Sequence, residues 1–214
     1  MKSNYILLSA FLFFAACGEK KDQSDPAVKT SGPVRSSNNT VRVNENLEKW
    51  LRFYRAGNPD FSFDRFTLTD SASINYNSSN VPANFEVNFN KVYEPFLVYS
   101  PDRTKYIDFD SYHWIPDENG NPGFEADQQI TLVHLPSKNV RQLAFFGPSF
   151  TIEEAFWEGD SVAVMLGNTY EKVPFYIKYN LNRNIQHTYR YPDTLTFEKS
   201  YIEERLKLKG IGGK

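Results

Sequence analysis

The sequence has 214 residues, of which 40% are hydrophobic and 16% aromatic, and it carries a formal net charge of −2. This length provides one domain with a substantial core, and the balanced charge offers no basic surface for nucleic acid. A single cysteine excludes an intramolecular disulfide and a zinc cluster built from cysteines.

The amino terminus has the pattern of a secretory signal peptide. Lys2 precedes an apolar run over residues 5–16, which is shorter than the roughly 20 apolar residues of a membrane-spanning helix. Ala15 and Ala16 end the run with the small residues that a signal peptidase accepts before its cleavage site. The pattern predicts that residues 1–16 are removed.

The sequence Phe14-Ala15-Ala16-Cys17 resembles the lipobox of bacterial lipoprotein precursors, with Phe14 where that family prefers Leu. The resemblance implies that the Cys17 thiol receives a diacylglyceryl group and that the new amine is acylated, for example with palmitate. An ordinary signal peptide with an incidental Cys17 is the alternative. Several acyl chains anchor a protein stably. Because Gly18 follows the cysteine in place of Asp, the resemblance implies the outer membrane, on its periplasmic or cell-surface side.

A tether and a helix follow the cysteine. Residues 17–44 are rich in Ser, Asn, Lys, Asp and Pro and contain no aromatic residue, so we expect the lipidated Cys17 to continue into a flexible tether. Residues 45–56 place apolar side chains at helical spacing and predict an amphipathic helix with Asn44 as its cap. Residues 45–214 are expected to form a single β-rich domain.

From Asp60 onward the apolar period changes from 3.6 to 2. The predicted strands are residues 61–69, 85–89, 96–99, 105–115, 129–135, 140–146, 161–166, 173–179 and 185–191. A short C-terminal helix is predicted over residues 197–208. No long helix separates the strands, so we expect a mainly β fold with an antiparallel meander sheet, arranged as an open sandwich, a barrel or a partial propeller.

A weak internal repeat supports the propeller alternative. Residues 132–142 are similar to residues 177–187. The segment Ser100-Pro101-Asp102, with the strand pattern that follows it, resembles the turn of TolB-type and WD40-like propeller blades, so that residues 100–191 resemble blade repeats. Two such units are fewer than the four or more blades of a closed ring.

The predicted strand over residues 105–115 carries the first candidate site. Its even positions alternate aromatic rings with carboxylates and share one face if the strand is straight: Tyr106, Asp108, Asp110, Tyr112 and Trp114. Such a face, together with Trp157, can stack on sugar rings and accept hydrogen bonds from their hydroxyl groups. The simpler interpretation is an aromatic face that is covered by a helix or a second sheet.

Two further groups of residues with carboxylate or amide side chains are weaker candidates. Asp117, Asn119 and Asn121 have the spacing of calcium ligands, but Pro122 and Gln128 replace the glycine and glutamate of an EF-hand loop, and turn formation explains the pattern as well. Glu153 and Glu154 are adjacent in sequence. On a regular strand they point in opposite directions, so we expect them to be solvated.

No catalytic motif occurs in the sequence. We therefore predict a membrane-anchored lipoprotein of the Gram-negative cell envelope with a non-catalytic β-rich binding domain, and no cofactor beyond the lipid on Cys17. Expected partners are the membrane and an envelope protein or glycan, and nucleic acid is not expected. The alternatives are a carbohydrate-binding surface lipoprotein and a glycoside or ester hydrolase.

Overall fold

A computed structural model of the protein describes residues 44–212. The predicted signal peptide, Cys17 and the tether as far as residue 43 lie outside the described residues. The described part contains two α-helices, α1 (Glu45–Arg55) and α2 (Tyr201–Leu208), two short 3₁₀-helices (Phe63–Arg65 and Lys91–Phe96) and twelve β-strands. None of these helices is long and apolar enough to cross a membrane.

The twelve strands lie between the two α-helices in the chain. In order they are β1 (Thr67–Ser73), β2 (Asn77–Ser78), β3 (Val98–Tyr99), β4 (Lys105–Asp108), β5 (Trp114–Pro116), β6 (Pro122–Phe124), β7 (Gln128–His134), β8 (Asn139–Phe146), β9 (Phe150–Glu158), β10 (Val162–Thr169), β11 (Pro174–Asn180) and β12 (Ile185–Arg190). Sheet I has the strand order β1-β12-β11-β10-β9, and sheet II has the order β2-β8-β7-β4-β3. Strands β5 and β6 form a separate hairpin.

All the strand pairs are antiparallel. The prediction of a mainly β fold with antiparallel sheets and a short C-terminal helix is therefore confirmed. The connections from β7 to β8 and through β9, β10, β11 and β12 are short, and in these segments sequence neighbours pair with each other.

The main hydrophobic core lies between the two sheets. Sheet I contributes Ile152, Met165 and Ile177, and sheet II contributes Ile107 and Ile130, all less than 9% exposed. These residues alternate with side chains on the opposite face of their strands, as the period of 2 requires. The two sheets therefore pack through their apolar faces.

A second layer covers the other face of sheet I. Trp50, Leu51 and Tyr54 of α1 pack with Val164 and Leu166 of β10 in one buried cluster. The side chain of Asn44 accepts a hydrogen bond from the backbone N–H of Asn46 and caps the helix. Docking on the sheet explains why the apolar residues of α1 lie on one side of the helix.

The strand predictions differ from the structure in four places. The predicted strand over residues 61–69 is a strand only from Thr67, where β1 begins, and Phe63–Arg65 form a short 3₁₀-helix. Residues 85–89 form turns that are closed by backbone hydrogen bonds from Glu86 to Ala83 and from Phe89 to Glu86, and they contribute no strand. The predicted strand over residues 105–115 is interrupted by a turn between β4 and β5. The prediction also missed β9, which is the longest described strand with nine residues. Local alternation did not reveal β9, because a β-bulge breaks its period.

Both segments of the sequence repeat form β-hairpins, but the sequence alignment is one residue out of register with them. The β7–β8 hairpin closes at the pair His134 and Asn139, and the β11–β12 hairpin closes at Asn180 and Ile185. Equivalent hairpin positions are therefore 46 residues apart, whereas the sequence comparison aligned them 45 apart. A one-residue difference reverses the face of every side chain in the alignment.

Candidate functional site

The residues predicted as a sugar-stacking face do not share a face. Strand β4 ends at Asp108, and the next residues turn. The Asp108 carboxylate accepts hydrogen bonds from the backbone N–H groups of Asp110 and Ser111 at 3.1 and 3.0 Å, and from the Ser111 hydroxyl. Burial raises the pKa of Asp108 to about 6, although these hydrogen bonds oppose the shift. Asp108 thus stabilises the turn that breaks the predicted strand.

The aromatic members of that predicted site are packed inside the protein. Tyr106 and Trp114 are fully buried, and Trp157 is 7% exposed in the core between the sheets. The Tyr106 hydroxyl accepts from the backbone N–H of Asn84, and the Trp157 indole donates to the carbonyl of Val98, both at 2.9 Å.

Tyr112 is partly exposed and packs edge-on against Phe145 with ring centroids 5.7 Å apart. Asp110 is buried, and its carboxylate holds Arg205 and the indole N–H of Trp114. The structure therefore provides no exposed platform at these residues, and the simpler interpretation of a covered aromatic face agrees with the burial.

The predicted calcium loop is organised by its own backbone. One oxygen of Asp117 accepts hydrogen bonds from the backbone N–H groups of Asn119 and Asn121, each at 2.8 Å. These bonds from the backbone lower the pKa of Asp117. Within residues 44–212, no group of three or more His, Cys, Asp and Glu side chains could hold a metal ion. Turn formation accounts for the spacing, as the alternative interpretation proposed.

The prediction that Glu153 and Glu154 are solvated is wrong. Both lie on β9 and are 1% and 5% exposed. The pairing with β10 skips Glu153, because Leu166 faces Glu154 and Gly167 faces Ile152. This β-bulge turns two consecutive side chains toward the helices, where a regular strand would turn only one.

Glu153 accepts hydrogen bonds only from uncharged donors. The Trp50 indole N–H, the Tyr54 hydroxyl and the Asn168 amide donate to its carboxylate at 2.7–2.9 Å. Burial raises the pKa of Glu153, while the hydrogen bonds lower it. The carboxylate therefore joins α1 to β9 and β10.

Glu154 joins the same strand to both helices. The Asn46 amide and the backbone N–H of Ala155 donate to one carboxylate oxygen, and the Tyr201 hydroxyl donates to the other at 3.2 Å. Burial raises the pKa of Glu154, and the charge of Arg205 opposes the shift. Glu154 and Arg205 also line a cavity of about 400 Å³ beside α2.

Arg205 pairs with Asp110 in a two-point ion pair. Its two terminal nitrogens lie 3.1 and 2.6 Å from the Asp110 carboxylate oxygens, and both side chains are at least 95% buried. Asp110 follows β4 of sheet II, so this pair fastens α2 to the end of the second sheet. Below, the "carboxylate layer" means Glu153, Glu154 and the Asp110–Arg205 pair.

The largest described opening lies between the two sheets. Its volume is about 520 Å³, and we call it the intersheet cleft. It is lined by Ala72, Ser73, Asn75, Asn77, Gln142, Leu143, Ala144, Phe145, Phe146, Phe150, Phe175, Ile177, Tyr179, Gln186, Thr188 and Arg190. Residues 74–76 cross from β1 of sheet I to β2 of sheet II beside the cleft, with Ile74 anchored in the core.

The register of β11 and β12 defines one wall of the cleft. Phe175, Ile177 and Tyr179 of β11 belong to the core between the sheets. Their direct partners on β12 are Arg190, Thr188 and Gln186, respectively. Directly opposed residues share a face of the sheet. The inner face of sheet I therefore changes from apolar on β11 to polar on β12.

None of the cleft-lining residues was identified from the sequence. Alternation in β12 was visible, but the side that faces the second sheet depends on which strands pair.

No family model matches the chain, and neither the curated proteins nor the solved structures contain a match to it.

Proposed function

We propose that the protein is a lipid-anchored binding protein of the bacterial envelope, in which a β-rich domain binds its ligand in the intersheet cleft without transforming it. The lipobox that ends at Cys17 supports the anchor, and the polar composition of residues 17–43 supports a tether. This tether gives the domain reach beyond the lipid headgroups.

The composition of the cleft supports binding without catalysis. Its lining contains no carboxylate, histidine, cysteine or lysine. General acid–base and nucleophilic catalysis depend mostly on such groups, held within hydrogen-bond reach of the reacting atoms. Arg190 is the one lining side chain that is charged at neutral pH, and arginine does not release its proton in proteins.

The buried carboxylates have a structural use. Every oxygen of Glu153 and Glu154 accepts a hydrogen bond from the protein. These contacts join α1 and α2 to β9, so the carboxylate layer is sufficiently explained by helix docking.

The strand order also supports a blade-like arrangement of the two sheets. Strands β3, β4, β7 and β8 form one four-stranded meander, and β9 to β12 form the next. Their terminal hairpins are related by an offset of 46 residues, a period within the range of propeller blades. We include two neighbouring blades in the proposal, with β1 and β2 added at their edges.

Acylation at Cys17 tests the anchor directly. Cells that express the wild-type protein are labelled with radioactive palmitate, and their inner and outer membranes are separated on a density gradient. We expect label on the wild-type protein in the outer membrane. The Cys17→Ser variant should carry no label and should appear in the soluble fraction after the same lysis. A Cys17→Ser protein that stays acylated would overturn the anchor.

An enzyme assay tests the proposal that the domain binds its ligand without transforming it. The purified mature protein is incubated with chromogenic glycosides and esters, and release of the chromophore is followed. We expect no release above the buffer rate. A hydrolysis that Glu154→Gln abolishes, while Glu203→Gln leaves it unchanged, would replace the binding function with a hydrolase.

A further inference from the structure

We propose that the ligand of the intersheet cleft is an oligosaccharide, either neutral or carrying a carboxylate on one sugar. This inference rests on the proposed binding function and adds the chemical class of the ligand. Four properties of the cleft carry it: the polar wall of β12, the accessible amides, the exposed ring of Phe150 and the charge.

The polar wall is the first property. Gln186 and Thr188 lie on the inner face of sheet I, beside Tyr179 and Ile177 of the core. A purely apolar ligand would remove their polar groups from water without replacing the lost hydrogen bonds, which is unfavourable. A ligand that carries its own hydroxyl groups avoids this loss.

Two amides of the cleft are accessible. Asn75 is exposed, and Gln186 is partly exposed. Each amide offers a donor group and an acceptor on neighbouring atoms, which matches vicinal hydroxyl groups that donate and accept at similar separation. Gln142 and Asn77 also border the opening, but Gln142 pairs with Thr131 and Asn77 pairs with Gln142, so their side chains lie on the face of sheet II that points away from the core.

Buried amides elsewhere in the protein are used internally. Gln128, for instance, donates to the carbonyls of Phe109 and Ile152, and Asn168 donates to Glu153. Asn75 and Gln186 are not buried. Their polar groups are therefore accessible to a ligand.

One exposed ring gives the cleft an apolar surface. Phe150 is 40% exposed and lies two positions before Ile152 of the core, on the same face of β9. It is held edge-on against Phe175 with ring centroids 5.5 Å apart, so its position is set by the core. Phe145 pairs with Gln129 on the outer face of sheet II and packs against Tyr112 there. The face of Phe150 is electron-rich and attracts the weakly positive C–H groups that line one side of a sugar ring.

Charge and size define the class further. The cleft contains no acidic side chain, so it offers nothing to a cationic ligand. Arg190 can pair with a carboxylate through its planar guanidinium. The volume of about 520 Å³ lies within the range of about 300–1,000 Å³ that is usual for small-ligand sites.

The test uses the purified mature protein on an array of immobilised oligosaccharides, including neutral and uronic-acid members, followed by calorimetric titration with the best binder. We expect Gln186→Leu combined with Thr188→Val, and separately Phe150→Ala, to weaken binding about tenfold or more, equivalent to losing one or two hydrogen bonds or a ring contact. Arg190→Met should weaken uronic-acid members only.

Matched controls lie outside the cleft. Asn182→Leu changes an exposed amide in the β11–β12 turn, and Tyr170→Ala removes a ring that is 83% exposed. Both should bind the saccharide within about twofold of wild type. Thermal unfolding of each variant by circular dichroism shows that the fold is retained.

Two results would overturn the oligosaccharide. The first is binding that the cleft variants leave unchanged. The second is that no member of the array binds, while the fluorescent fatty acid cis-parinaric acid binds to the wild-type protein and fails to bind to the Phe150→Ala variant. The second result removes the saccharide class but keeps a binding protein, whereas a domain that binds neither probe removes the proposed function as well.

Discussion

The carboxylate layer and the intersheet cleft both place polar side chains next to apolar ones. The two regions differ in whether the protein itself supplies hydrogen-bond partners for those polar groups. Every carboxylate oxygen of Glu153 and Glu154 has a donor within the protein, and Arg205 has a two-point partner in Asp110. In the cleft, Gln186 and Thr188 remain partly open to solvent. The polar groups of the carboxylate layer hold the helices in place, whereas those of the cleft remain available to a ligand.

The energetic consequence differs between the two regions. A buried charge without a partner is strongly unfavourable, so removing one member of the carboxylate layer leaves the others uncompensated. A half-exposed amide retains its hydration, so its removal affects the folded protein little. Stability measurements should therefore separate the two regions.

Arg205→Met should have the largest effect. It leaves the Asp110 carboxylate buried without a cation, and we expect the free energy of unfolding to fall by about 3–5 kcal/mol in a denaturant titration. Lys49→Met is the control, because it breaks a solvent-exposed pair with Glu45 that contributes little to stability.

A double variant examines the cause. Adding Asp110→Asn to Arg205→Met removes the orphaned charge and keeps an acceptor for the Trp114 indole, so much of the lost stability should return. A drop below about 1 kcal/mol for Arg205→Met alone would contradict a buried ion pair.

Gly167→Ala should come next. A Cβ at Gly167 would collide with the backbone carbonyl oxygen of Thr151 and press on the ring of Phe175. Since Gly167 faces the bulge of β9, relief of the collision would displace Glu153 and Glu154. We expect the free energy of unfolding, measured by chemical denaturation, to fall by about 1–3 kcal/mol or more. Gly123→Ala is the matched control in β6, where the nearest atom to a new Cβ is 3.5 Å away. Equal losses at the two glycines would show that the close approach is unimportant.

Glu153→Gln should change the pH dependence of stability more than its magnitude. Burial raises the folded-state pKa of Glu153 above the ordinary 4.5, so the native state binds this proton more tightly than the unfolded chain does. Its contribution is fully present below the ordinary pKa and is lost as pH rises toward the folded pKa. The variant lacks this titration.

The measurement compares denaturation of wild type and Glu153→Gln from pH 4 to pH 8. The stability of the variant relative to wild type should increase with pH, while the amide retains hydrogen bonds with Trp50 and Tyr54. Glu203→Gln, at an exposed position on α2, is the control. A relative stability that decreases with pH would show that the carboxylate is stabilised in its ionised form.

The smallest effect is expected in the cleft. Gln186→Leu combined with Thr188→Val should leave the free energy of unfolding within about 0.5 kcal/mol of wild type or raise it, because functional polar groups often limit stability. Thermal unfolding without ligand measures this. If the double substitution destabilises by more than about 1 kcal/mol, the polar wall of β12 serves the fold.

Much of the fold could be predicted because it depends on local patterns. The alternation in residues 129–135, 140–146 and 173–179 lies within one residue of β7, β8 and β11. Residues 85–89 misled the prediction, since alternation there occurs in turns with Val87 completely exposed. Alternation shows that a segment can be half-buried, but it does not supply the neighbouring strand that buries it.

The candidate sites were less predictable, because contacts between distant segments define them. Asp110 and Arg205 are 95 positions apart and meet as a buried pair. Glu153 is buried because a bulge redirects it, and that bulge depends on the pairing of β9 with β10. No spacing within the sequence encodes either contact.

The amino-acid sequence by itself determined most of the period-2 strands and the turns between them. The resemblance of Phe14-Ala15-Ala16-Cys17 to a lipobox also depends only on a short linear segment, and it stays a prediction. Tertiary structure alone decided which face of each strand is covered. In β12 this choice placed Gln186, Thr188 and Arg190 at the opening between the sheets. The physical reason is that burial belongs to a pair of surfaces, and the second surface comes from residues far away in the chain.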